Sequence, residues 1–180
     1  MGFKNIFLDT NILVDIVANR LPFSKNVILI FDYCERHKIK MYSSSHSIAT
    51  MHYIAKRVVD EKELRSIIED LLDTISIIAV TESILKKSLK SSHKDFEDAI
   101  QIITAQSINT MDCIITRDLK DFKHYVQEQA NQNLVFVTKK MEVIRLQNND
   151  KTRLDIKDLS DFQRYAEILN SVSCFIERFD

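Results

Sequence analysis

The sequence predicts an α/β domain built on a central parallel sheet of about five strands, with helices on both faces. Two observations point there. Short apolar runs, several rich in β-branched residues, recur along the chain. Between them, apolar residues fall at helical rather than alternating spacing. Strands that alternate with helices are joined by crossovers, so they run parallel and are covered on both sides.

The elements follow in order. Lys4 to Leu8 reads as the first strand, and Asn11 to Val17 as a helix with Ile12, Leu13, Ile16 and Val17 inward. Ser24 is a candidate cap for a helix to about His37. Ile39 to Tyr42 is the second strand, and Ser43 to Ser45 a turn into a helix ending near Val58. Glu61 to Leu72 continues as helix. Ile75 to Val80 is the third strand, and Thr81 caps a helix to about Leu89. Asp95 to Ser107 carries the apolar stripe Phe96, Ala99, Ile100 and Ile103. Cys113 to Thr116 is the fourth strand and Leu134 to Val137 the fifth, with Thr138 capping a helix over Lys139 to Leu146. Gln147 to Arg153 reads as a linker, and Asp158 to Phe179 as one amphipathic helix. The expected organisation is a main domain over residues 1–146, then linker and C-terminal helix over 147–180.

The 180 residues suit one domain with an appendage. No run of 18 apolar residues occurs, so no membrane span is expected. The start of the chain lacks the pattern of a secretory signal, which makes a cytoplasmic location the expectation. Cys34, Cys113 and Cys174 are widely spaced and read as reduced thiols. No HExxH pattern occurs, and His46 and His52 fall on different faces of one helix.

Gly2 is the only glycine. Loops that cradle phosphate need glycine for close backbone approach, so the P-loop and the dinucleotide fingerprint are excluded. Any phosphate chemistry must use a metal or basic side chains. The net charge of −1 argues against a broad surface for coating nucleic acid.

Ligands of open α/β sheets bind beyond the carboxyl ends of the strands. Asp9 and Asn11 directly follow the first strand, and Thr116 and Asp118 close the fourth. Asp95 and Asp98, three apart at a helix start, would share a face. Gathered carboxylates repel one another unless a cation offsets them, and oxygen ligands suit Mg²⁺ or Mn²⁺. Such a site fits hydrolysis of a phosphodiester by an activated water. Each acid also has a plainer reading: Asp9 as a helix cap, Asp95 and Asp98 as partners of the helix dipole, Asp118 as a turn residue.

Three segments resemble a known family. Phe7-Leu8-Asp9-Thr10-Asn11-Ile12-Leu13 resembles the opening strand of PIN domains, and Asp95-Phe96-Glu97-Asp98-Ala99 the acidic helix of a VapC-like toxin branch. Ile114-Ile115-Thr116-Arg117-Asp118 resembles the family's fourth-strand motif. The resemblance covers about Phe3 to Leu146. It implies a three-layer fold and a Mg²⁺- or Mn²⁺-dependent ribonuclease, often dimeric and held inactive by an antitoxin protein. It also implies metal ligation by Asp9, Asp98 and Asp118, with Asn11 and Thr116 in support and Asp95 joining the catalytic cluster. Glu97 is expected on another face, as a surface or ion-pair residue.

One departure stands out. Most PIN domains carry a glutamate in the helix after the second strand. Here no carboxylate lies between Glu35 and Asp60, and Thr50 or His52 occupies that place. The rival reading is therefore a catalytically depleted module that binds RNA or protein. A phosphatase of the haloacid dehalogenase type would need an acid where Asn11 stands. Candidate RNA-facing cations are Lys86, Lys87, Lys90, Lys94, Arg117, Lys120 and Lys123.

Overall fold

The computed structural model describes residues 3–118 throughout, and beyond them the backbone of three strands at 133–137, 143–147 and 150–153. The helix expected over Asp158 to Phe179, the cap at Thr138 and the cations Lys120 and Lys123 lie outside the described residues.

The element order is β1 (Asn5–Leu8), α1 (Thr10–Val17), α2 (Phe23–Arg36), β2 (Lys40–Ser44), α3 (Ser45–Ala55), α4 (Glu61–Thr74) and β3 (Ser76–Ile78). Then come α5 (Glu82–Lys90), α6 (Phe96–Gln106), β4 (Cys113–Thr116), β5 (Asn133–Val137), β6 (Val143–Gln147) and β7 (Asp150–Arg153). The sheet order is β3-β2-β1-β4-β5-β6-β7. β1 to β5 pair in parallel, and β6 and β7 extend the sheet antiparallel.

Period-two alternation along the central strands divides the core. Ile6, Leu8, Cys113 and Ile115 point into the larger cluster, with Ile12, Leu13, Val27, Met51 and Leu64 from α1 to α4. Phe7 and Ile114 point to the opposite face, against Ile102 and Ala105 of α6. With both faces buried, the sheet is the middle of three layers, as the sequence implied.

The helices start where polar side chains can cap them. Ser44 Oγ accepts from Ser47 N–H at 2.8 Å, Asp60 from Lys62 N–H at 2.9 Å, and Thr81 from Ile84 N–H at 3.4 Å. Ser24 is not a cap: α2 begins at Phe23, and Ser24 is buried within it. β2 runs two residues further than expected, because Ser43 Oγ can donate to Leu8 O at 2.8 Å and Ser44 starts α3.

Helix ends solve the lack of glycine differently. α1 and α2 both close through a left-handed residue, Asn19 (φ 42°) and Lys38 (φ 54°). After each, the chain folds back: Arg20 N–H donates to Asp15 O (3.0 Å) and Ile39 N–H to Cys34 O (2.8 Å). These are Schellman closures made without glycine.

Two expectations near the C-terminus are corrected. Val143 to Leu146 is not helical but belongs to β6, where Ile144 pairs Phe136 and Leu146 pairs Leu134. The run Val-Ile-Arg-Leu is short enough to serve either period, and an available edge on β5 decides it. Asp150 to Arg153, read as linker, forms β7, whose polar sequence suits the end of a sheet. The sheet therefore continues past residue 146.

Among the described residues no helix is long and apolar enough to cross a membrane. Cys34 and Cys113 are buried reduced cysteines, as expected.

Candidate metal site at the β1–β4 switch point

The chain runs outward from β1 to β2 and β3, then returns to place β4 on the other side of β1. The strand order reverses between β1 and β4, the point beyond which ligands of open α/β sheets bind. Asp9 and Thr116 stand at that point, held level by the hydrogen bond from Asp9 N–H to Ile115 O at 3.0 Å.

Asp9 is only 4% exposed. It caps α1 through Oδ1, which accepts from Thr10 N–H at 2.6 Å. Its other oxygen, Oδ2, accepts from Thr116 Oγ1 at 2.6 Å and from the Asn11 amide. Asn11 Nδ2 also donates to Thr116 Oγ1 (3.0 Å), and its Oδ1 accepts from Arg117 N–H (3.1 Å). Asp118 N–H donates to Thr116 Oγ1 at 2.9 Å. Both predicted pairs, Asp9/Asn11 and Thr116/Asp118, thus meet in one knot of hydrogen bonds. Asp9 caps α1 with Oδ1 and places Oδ2 in the knot with Thr116 and Asn11.

The electrostatics are those of a crowded acid. Burial pushes the Asp9 carboxyl up from 3.8 to about 6, against the Thr116 and Thr10 hydrogen bonds, and the charges of Glu97 and Asp118 raise it further. Glu97 is the surprise. The sequence places it on the far side of its helix, yet its charge reaches Asp9. Its Oε1 also stands 3.7 Å from His46 Nε2, a contact that is ionic when the imidazole is protonated.

Asp98 is half-buried in the first turn of α6. One turn on, fully buried Gln101 ties that helix to the site: its amide donates to Thr10 Oγ1 (2.8 Å) and accepts from Ser44 (3.0 Å) and Ser47 (2.7 Å). Asp95 departs from expectation. It is the N-cap of α6 rather than a member of its face, and Oδ1 accepts from Glu97 N–H (2.8 Å) and Asp98 N–H (3.2 Å). An acid so placed bonds the first free N–H groups of the helix, and its Oδ1 holds Asp98's backbone.

Where the family's glutamate would stand, Thr50 Oγ1 lies 3.5 Å from His46 Nε2. His52 points elsewhere, to Glu61 Oε2 at 3.0 Å. Among the proposed RNA-facing cations, Lys86 pairs with Glu82, and Arg117 turns inward to Asp15.

Among the described residues no three His, Cys, Asp or Glu side chains are grouped so that they could hold a metal ion. The donors at hand are nonetheless all oxygen, and one is buried with a raised carboxyl. That suits a hard dication such as Mg²⁺, which binds through one or two carboxylates and keeps several waters.

Asp9, Asn11, Thr116 and Asp118 thus meet at the carboxyl ends of β1 and β4, where ligands of open α/β sheets bind. The PIN domain family model matches residues 5–120, and the chain belongs to that family. It is 25% identical to ribonuclease VapC1 of Aquifex aeolicus (strain VF5) over 111 residues, 59% of this chain and 76% of that protein. Its fold matches that of VapBC2 from Rickettsia felis, solved bound to a promoter DNA fragment, with a TM-score of 0.51 and 16% identity. That match covers 72% of this chain and 96% of the other. A toxin–antitoxin complex from Klebsiella pneumoniae is also similar, at 26% identity and a TM-score of 0.49, over 65% of this chain and 89% of the other.

Proposed function

We propose that the protein is a metal-dependent ribonuclease and the toxin of a toxin–antitoxin pair. The observation that carries this reading is the buried, charge-crowded Asp9, fixed beside Asp118 in a PIN domain similar to a VapC ribonuclease. Asp9, Asp98 and Asp118 are the residues assigned to hold Mg²⁺ or Mn²⁺. A cation held there supplies a Lewis acid for a phosphodiester oxygen and an acidified water. The chain's own part is orientation. Thr116 and Asn11 aim Oδ2 of Asp9, Asp95 fixes the backbone of Asp98, and the buried Gln101 network sets the first turn of α6 against Asp9. Asp9 must lose its proton to act, and a neighbouring dication favours that loss.

RNA is the assigned substrate, and an antitoxin protein and a second copy of the chain the assigned partners. The similarity to VapC1 and the fold shared with VapBC2 support the toxin reading. The test is cleavage of RNA by the purified protein with Mn²⁺ or Mg²⁺, beside Asp98→Asn. Wild-type cleavage lost in the variant and in chelator is expected; equal activity in both removes the mechanism. Growth arrest on expression, relieved by the product of a small adjacent reading frame, tests the antitoxin.

The absence of a carboxylate on α3, where Thr50 and His46 face each other, favours one rival. A depleted module would bind RNA but leave it intact under every metal condition.

A further inference from the structure

Asp15 is a carboxylate with no exposed surface, on a helix otherwise apolar at Ile12, Leu13, Val14, Ile16 and Val17. Burying an acid is costly unless something answers its charge. Here the answer comes from the turn that carries Asp118. Arg117 Nε stands 2.6 Å from Asp15 Oδ2. The guanidinium lies 4.1 Å over the Phe23 ring, so a cation that sequence reading offers to RNA faces the interior. The contact is ionic rather than an aligned hydrogen bond. Arg20 is the other cation that bears on Asp15.

The pair is one half of a strap. Asp15 follows Asn11 by one helical turn, so both face the same way from α1. Asn11 takes the backbone N–H of Arg117, and Asp15 takes its side chain. Two successive turns of α1 thereby grip residue 117 at two points, and Asp118 is the next residue. A buried ion pair seldom adds net stability over apolar residues of similar size. Its placement beside the site is better explained by geometry than by stability.

We propose that Asp15 is a positioning residue which, through Arg117, fixes the turn after β4 so that Asp118 is aimed at the metal site, and that Arg117 does not contact RNA phosphate. The role rests on the metal-nuclease reading; the strap itself does not.

The experiment compares the full-length wild type with Asp15→Asn, Arg117→Lys and the paired apolar variant Asp15→Leu/Arg117→Met. Three readouts are taken. Hydrogen exchange of the Thr116–Asp118 amides should quicken in Asp15→Asn, while α2 and α4 keep their protection. Mn²⁺ affinity, measured calorimetrically, should fall about tenfold in Asp15→Asn and in the apolar pair, and less in Arg117→Lys. The salt dependence of RNA binding in chelator should match wild type in every variant, since no phosphate contact is lost. Should Asp15→Asn misfold, the apolar pair gives the same readings without an orphaned charge. Unchanged exchange and Mn²⁺ affinity would overturn the positioning role, as would a salt slope lowered by about one ion. A wild type that binds no Mn²⁺ sinks the metal-nuclease reading and the positioning role with it. The exchange data then report on the strap alone.

Discussion

Asp9 should weaken the metal-free fold, so that replacing it strengthens the protein while ending its activity. The perturbation is Asp9→Asn. The carboxyl is raised from 3.8 to about 6, chiefly by burial. The native state therefore holds this proton more tightly than the unfolded chain. Stability from the group is fully present below about pH 4 and is lost as pH rises through about 6. At pH 7.5 the loss is on the order of 3 kcal/mol. An amide has no charge to desolvate and keeps its acceptor for Thr10 N–H. It gives up the bonds that Oδ2 accepts from the Asn11 amide and the Thr116 hydroxyl, which together cost about 2 kcal/mol. The net gain is about 1 kcal/mol, or roughly 2–4 °C in Tm for a chain of this size. The assay is thermal unfolding in chelator at pH 7.5 and pH 4. Asp9→Asn should melt higher at pH 7.5 and show no advantage at pH 4. A variant that melts lower at pH 7.5, or keeps its gain at pH 4, refutes the reasoning. On the proposed metal reading, added Mn²⁺ should reverse the order at pH 7.5, because only the wild type would gain a ligand.

Other perturbations test separate parts of the structure. On the proposed metal reading protons compete with the cation for Asp9, so calorimetric Mn²⁺ affinity should drop about tenfold between pH 7 and pH 5 and stay level above pH 7. Gln101→Met leaves the buried hydroxyls of Thr10, Ser44 and Ser47 without their shared amide; urea unfolding should show a loss of about 2–4 kcal/mol, with RNA cleavage reduced in the folded fraction. Lys38→Gly should stabilise by about 0.5–1 kcal/mol in the same assay, since the left-handed backbone at this exposed position strains any residue with a Cβ.

What could be read from the sequence and what could not divides along physical lines. The strand-borne groups were legible because a strand ends where its apolar run ends. Leu8 and Thr116 close two such runs, and the residues beside them, Asp9 and Asp118, must lie at the sheet's edge. The three layers followed from the same alternation. The C-terminal hairpin was hidden, because Val143 to Leu146 fits a helix turn and a strand equally well, and only pairing with β5 chooses. Asp15 had left a signal that was passed over. A lone acid in an apolar helix implies a buried partner, and a basic residue near another strand end was the natural one.

The helix-borne groups required more than periodicity. Spacing tells which residues share a face but not how the helix is rolled about its axis or where its first turn begins. α6 begins at Phe96, one residue after the Asp95 start expected from the sequence, because Asp95 is its cap. Gln101, pinned at three hydroxyls, then fixes the roll. Those two anchors bring the charge of Glu97 to bear on Asp9, although its spacing from Asp98 assigned it elsewhere. His46, fifty-one positions earlier in the chain, meets Glu97 only because Ser44 starts α3 beside the same network. The polar side chains that set these helices are uncharged and buried. A search for catalytic acids passes over them, yet they decide how the acids of α6 are placed relative to Asp9.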